Sequence, residues 1–179
     1  MVEHECMRQP VNAFSMIAVA ILAAILSSLP AARGEPLPPP GPDSPDLVVV
    51  IKSERRLYLY QDGWPTHSYP IALGLNPSGH KLEEGDQRTP EGSYVIDWRN
   101  PDSRFYRSLH ISYPNDRDRA RAAAGNRDPG GMIMIHGQPS YSSRKRSGDW
   151  TDGCIAVSDD AMDELWSLIG QDTRIHIYP

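Results

Sequence analysis

"LVVVIKSERRLYLYQDG", residues 47–63, sets the class of fold. Leu47 to Ile51 is a short apolar run rich in β-branched residues, the composition of a buried strand. A polar turn follows, and then "RLYLY" predicts a second strand. The Asp62-Gly63 pair suits a tight hairpin turn, because both residue types tolerate the positive φ that such turns demand. Working outward, "SYPIALGL" (68–75), "GSYVIDW" (92–98), "GGMIMIH" (130–136) and "CIAV" (154–157) predict further strands. "TRIHIY" (173–178) alternates and is expected to close the sheet. Helical signals are fewer. "SDDAMDELWSLIG" offers Ser158 as N-cap, two aspartates in the first turn and Gly170 as the stop. Met162, Leu165, Trp166 and Ile169 then form one apolar face for core packing. "NDRDRARAAAG" (115–125) predicts a short helix capped by Asn115, with its arginines on a solvated face. The domain reads as mainly β with one or two short helices.

Upstream the composition changes. Residues 13–29, "AFSMIAVAILAAILSSL", are apolar and uncharged. This run reads as a secretory signal, with a small-x-small pattern at Ala32 and Gly34, or as an uncleaved N-terminal anchor. A buried core helix is the third reading. Residues 1–34 are therefore expected to be a signal peptide or anchor, and the rest of the chain to be exported to the periplasm or cell envelope. Contact with a membrane is expected only through that segment. Residues 35–46, "EPLPPPGPDSPD", hold six prolines in twelve positions. Such a stretch predicts a stiff, extended linker outside the core. The folded domain is expected over 47–179. A net charge of −5 speaks against an electrostatic nucleic-acid binder.

Chemistry concentrates near the end of the chain. His136 ends one predicted strand, and Cys154 begins another. If those strands are neighbours, the imidazole can take the thiol's proton and leave a thiolate nucleophile. It can then return the proton to a leaving amine. Gly153 lets the backbone approach a substrate, and the N–H groups of Gly153 and Cys154 are candidate oxyanion donors. Other readings stand beside this one. A lone cysteine also serves as a small buried hydrophobe, or pairs between molecules. A histidine ending a strand is often merely a surface residue. Zinc is disfavoured, since the histidines are scattered, none sits in an HExxH arrangement, and the domain has no second cysteine.

These residues also resemble a known family, the YkuD-type L,D-transpeptidases. That family carries a histidine, a loop, then Ser/Thr-His-Gly-Cys and usually Arg or Asn two positions after the cysteine. Here fourteen residues, 137–150, separate His136 from Thr151, Asp152, Gly153 and Cys154. "GDQRTPEGSY" (85–94) is similar to a second family segment, and "RLYLYQDG" and "YPIALG" to its opening strands. The resemblance implies a β-sandwich-like domain with the Cys–His pair under a lid or groove. It implies Cys154 as nucleophile, His136 as base and the Gly137 carbonyl orienting the imidazole. Gly153 and Cys154 would supply oxyanion donors, and Thr151 a hydrogen bond within the loop. The substrate implied is a peptidoglycan stem peptide, attacked at the L-centre of diaminopimelate. The acyl acceptor would be another stem or a wall-attached protein, with no metal or organic cofactor. Carbapenems would acylate Cys154. Hydrolysis at the same site, as a carboxypeptidase or amidase, and a wall-binding module without catalysis are the alternatives. Two positions depart from the pattern. Asp152 stands where the family has His, and Ala156 where it has Arg or Asn. A carboxylate beside a thiol disfavours ionisation unless it points away or pairs with a cation such as Arg144, Lys145 or Arg146.

Overall fold

A computed structural model describes residues 34–179. The expected export segment falls on residues outside the described ones. Nine strands form the scaffold: β1 (Glu35–Pro36), β2 (Leu47–Ile51), β3 (Arg56–Gln61), β4 (Trp64–Pro70), β5 (Gly92–Asn100), β6 (Ser108–Ile111), β7 (Met134–His136), β8 (Ile155–Ala156) and β9 (Thr173–Tyr178). Among the described residues two helices accompany them, α1 (Asp116–Ala124) and α2 (Asp159–Leu168). The fold is mainly β with two short helices, as the sequence indicates.

The strands form one sheet in the order β4-β3-β2-β9-β5-β6-β7-β8, with β1 paired to β5. β9 does not close the sheet, as expected from sequence, but lies at its centre. It runs parallel to β2 and antiparallel to β5. Thr173, Ile175 and Ile177 are buried along it, and only a position with partners on both sides satisfies both rows of its backbone groups. Asp62 and Gly63 both take positive φ, 52° and 81°, as the two-residue hairpin requires. The third strand therefore starts at Trp64, directly after the turn, and ends at Pro70 rather than at residue 75. β6 was not singled out in the sequence, although the Asn100-Pro101-Asp102-Ser103 turn signal precedes it.

Residues 71–75 leave β4 and cross to the far edge of the sheet. Ala72 and Ala156 exchange both N–H···O bonds at 2.8 Å. The N–H groups of Trp150 and Thr151 both donate to the Leu73 carbonyl, at 3.1 and 3.0 Å, and Leu75 N–H donates to Thr151 O at 3.0 Å. The sheet thus curls until its edges are bridged at the "TDGC" turn. Inside the curl lie Val48, Val50, Leu57, Leu59, Ile96, Leu109, Ile135, Ile155 and Ile175, closed off by Met162, Leu165 and Ile169 of the α2 region. Ser158 caps α2 by accepting from Ala161 N–H at 3.1 Å. The helix ends one residue before the predicted stop, because buried Ile169 turns extended (ψ 118°) and caps it in place of Gly170. Asn115 caps α1 in a reciprocal capping box with Asp118.

The proline-rich stretch departs from expectation. Glu35 and Pro36 pair with Arg99 and Trp98, Leu37 is buried in the core, and Pro38 O accepts Gln171 N–H at 2.8 Å. Leu37 is the one large apolar side chain in this run, and its burial ties the stretch to the domain. Prolines on either side still offer carbonyl acceptors.

Candidate active site

β7 and β8 run side by side and parallel, with Ile135 opposite Ile155 and His136 opposite Ala156. Cys154 directly precedes β8. The thiol and the imidazole therefore lie on adjacent strands, displaced by two residues, about 6–7 Å along the strand direction. His136 is buried, 3% exposed, under two aromatic rings: Phe105 at 4.7 Å and Trp150 edge-on at 5.5 Å. Its Nδ1 lies 2.8 Å from the Gly137 carbonyl oxygen. A carbonyl only accepts, so Nδ1 carries the proton and Nε2 is left as the basic nitrogen. Burial lowers the His136 pKa from its ordinary value, so the ring is held neutral. Gly137 has a second reason to be glycine. A Cβ there would come within 2.6 Å of Asp159 Oδ1 and 2.9 Å of Tyr106 Cβ.

Cys154 is a free, half-buried thiol. Its Sγ donates to the Met132 carbonyl at 3.7 Å, and among the described residues no hydrogen bond joins it to His136. Burial pushes the thiol pKa up, the Met134 backbone N–H and Lys81 oppose this, and the Asp152 charge adds to it. Both shifts favour the uncharged forms, a protonated thiol and a neutral imidazole.

The turn before the thiol is built by Thr151. Its hydroxyl donates to Cys154 O at 2.7 Å and accepts from Gly153 N–H at 3.2 Å. This side-chain bond occupies the Gly153 N–H, which corrects the expectation that Gly153 supplies an oxyanion donor. The Cys154 N–H makes no hydrogen bond among the described residues and stays available. Gly153 is needed for the backbone itself. Its φ is +123°, and a Cβ would sit 2.6 Å from the Arg88 carbonyl oxygen. Thr151 is thus a hydrogen-bonding partner within its own loop.

Asp152 is exposed, with one hydrogen bond, from Gln87 Nε2 at 3.5 Å. None of the cations named from sequence pairs with it. Lys145 lies 3.7 Å from Asp159, Arg146 stacks over the Trp150 ring at 5.0 Å, and Arg144 makes no ion pair among the described residues. Ala156 is buried in the seam with Ala72, where the backbone bonds do the holding.

Several contributors to this site were not singled out in the sequence. Trp150 and Phe105 wall the imidazole, and Met132 receives the thiol. Asp149 accepts from Arg55 Nη2 at 2.7 Å and from Leu73 N–H at 2.9 Å, so it pins the end of the 137–150 loop. "GDQRTPEG" forms the facing wall: Asp86 gathers the Leu82, Glu83 and Arg88 N–H groups and Lys81 Nζ. Only the adjacency of Asp149 and Trp150 to Thr151 could have flagged any of them.

Residues 45–177 match the family described as YkuD, L,D-transpeptidase catalytic domain. The Escherichia coli (strain K12) protein YafK, which bears a provisional L,D-transpeptidase name, is 31% identical over 150 residues, covering 76% of this chain and 54% of its own length. The chain thus spans about half the length of the curated relatives it matches. Among solved structures, the helical cell shape determining protein Pgp2 from Campylobacter jejuni aligns at a TM-score of 0.59 and 27% identity, covering 73% of this chain and 46% of that one. The L,D-transpeptidase (residues 123–326) from Xylanimonas cellulosilytica shares the fold at a TM-score of 0.50 and 19% identity, covering 79% of this chain and 64% of that one.

Proposed function

This chain belongs to the YkuD family of L,D-transpeptidase catalytic domains, and from that premise we propose that Cys154 is the nucleophile of an acyl transfer on peptidoglycan stem peptides, with His136 as its base. The observation that carries the reading is the juxtaposition of a free thiol, on a groove, with a buried imidazole on the adjacent strand.

In the resting arrangement the thiol keeps its proton on the Met132 carbonyl. Binding of a stem peptide brings a carbonyl, that of the L-centre of diaminopimelate, against Sγ. The thiol turns from Met132, its proton passes to His136 Nε2, and sulfur adds to the carbonyl carbon. The oxyanion takes the Cys154 N–H, worth about 3 kcal/mol when such a donor is aimed at developing charge. Collapse breaks the C–N bond, and His136 gives its proton to the departing amine of D-alanine. A thioester remains. An amine from a second stem or a wall-attached protein then attacks, loses its proton to His136 and expels the sulfur, which is reprotonated. One amide bond is exchanged for another, so no nucleotide is consumed. Gly137 holds the ring in the productive tautomer throughout, and the Phe105 and Trp150 rings keep water from it.

The test is incubation of the purified chain with a disaccharide tetrapeptide, read by mass. Cross-linked dimers and loss of D-alanine, both absent in Cys154→Ala, are the expected result. Trimmed stems without dimers would replace transfer by hydrolysis. No thioester and no carbapenem adduct on Cys154 would remove the covalent mechanism.

A further inference from the structure

The groove that holds the Cys154 thiol, about 420 Å³ in volume, carries unbalanced charge. Two exposed carboxylates line it, Glu84 and Asp152. Lys81 is the one cation among its lining residues, and it is already committed. It is 4% exposed, and its Nζ bonds Asp86 Oδ1 and the Glu83 carbonyl, each at 2.9 Å. Asp152 has no cation of its own among the described residues, and Gln87 is its single hydrogen-bond donor. The groove that receives a substrate next to sulfur therefore presents free negative charge.

We propose that Asp152 is a specificity-determining residue that takes a positively charged ammonium group of the substrate beside the Cys154 thiol, with Glu84 extending the same preference along the groove. The proposal rests on the reading of this groove as the acyl-transfer site. It gives a physical reason for a carboxylate two residues before the sulfur, where the resembling pattern has a histidine. An unpaired carboxylate there opposes the thiolate, which is a cost with no return in the empty groove. A cation docked on Asp152 cancels that field, so a cationic substrate helps to form the nucleophile that attacks it. Neutral or anionic substrates leave the penalty in place. The ammonium has two sources: the free side-chain amine of the donor stem, which is in place while the thiolate forms, or the acceptor amine, which docks as its ammonium after the thioester has formed and gives its proton to His136 before it attacks.

The groove's charge is read without any substrate. Cys154 of the full chain is modified by two methanethiosulfonates of similar size, one ending in trimethylammonium and one in sulfonate. Each forms a mixed disulfide on Sγ and releases methanesulfinate, and a Cys154→Ser chain supplies the background. The ratio of the two rates, relative to that for N-acetylcysteine, cancels general changes in thiol ionisation. It should be about tenfold in favour of the cation, as expected for a unit charge a few ångström away across a wet groove. It should fall to within about twofold in Asp152→Asn and by a smaller factor in Glu84→Gln. A ratio unchanged in both variants overturns the proposal, whatever Cys154 does in catalysis. A ratio that behaves as expected without thioester formation would sink the transfer reading alone. With a stem donor, slower thioester formation after acetylation of its side-chain amine assigns the ammonium to the donor. Faster transfer to cationic than to neutral amines assigns it to the acceptor. Indifference of the wild type to both changes refutes the substrate-level claim.

Discussion

Gly153→Ala is expected to damage the protein more than any ordinary glycine replacement in a turn. Two costs combine at this position. The φ of +123° lies where a side chain is strained, at about 1–3 kcal/mol. The new Cβ would also lie 2.6 Å from the Arg88 carbonyl oxygen, which is backbone and cannot swing aside as a side chain would. The turn or the facing wall must therefore move by several tenths of an ångström. A total near 3 kcal/mol or above corresponds to a fall in Tm of about 6–12 °C for a chain of this size. Gly63→Ala is the internal control. Its φ is also positive, +81°, but nothing lies within 4 Å of the added Cβ. It should cost about 1 kcal/mol and a few degrees. The assay is thermal unfolding by circular dichroism, with iodoacetamide modification of Cys154 in parallel to report displacement of the turn. If Gly153→Ala melts within error of Gly63→Ala, the contact with Arg88 does not constrain the turn and the account of this glycine is wrong.

Thr151→Ala removes both bonds of the buried hydroxyl and should cost about 2 kcal/mol by urea unfolding, while Thr151→Ser recovers most of it. Asp149→Ala frees Leu73 N–H and the partly exposed Arg55, so about 1–2 kcal/mol should be lost, with faster hydrogen exchange over 137–150. Stability should also fall with acidity. Burial lowers the pKa of His136 and of His80 below the ordinary 6.5, so the unfolded chain binds more protons than the folded one in this range. Their contribution is complete above about pH 6.5 and is lost as pH drops through the folded values. Unfolding free energies between pH 7.5 and 5 check this, and His136→Phe should flatten part of the slope; a stability that rises on acidification refutes it.

Sequence reached most of the scaffold because its signals are local. The alternation in Arg56–Gln61, the Asp62-Gly63 turn, the Ser158 and Asn115 caps and the apolar face of α2 all act within a few residues, and each element formed where its signal lay. The same local character brought out His136, Cys154 and the glycines beside them. Partner choice was beyond reach, because backbone hydrogen bonds carry no residue identity. Nothing in "TRIHIY" says that it inserts between β2 and β5 instead of ending the sheet. Nothing in "EPLPPP" says that Leu37 finds the core. The site shows the same division. That a thiol and an imidazole would meet followed from two strands being neighbours, which only the curl of the sheet decides. That Thr151 occupies the Gly153 N–H, that the thiol rests on Met132, and that Asp152 stands without a cation depend on distances between segments far apart in the chain. Residue types and their order determined which chemistry this protein carries. Long-range packing decided which hydrogen bonds are left over for a substrate, because a donor is free only when no neighbour in space has taken it.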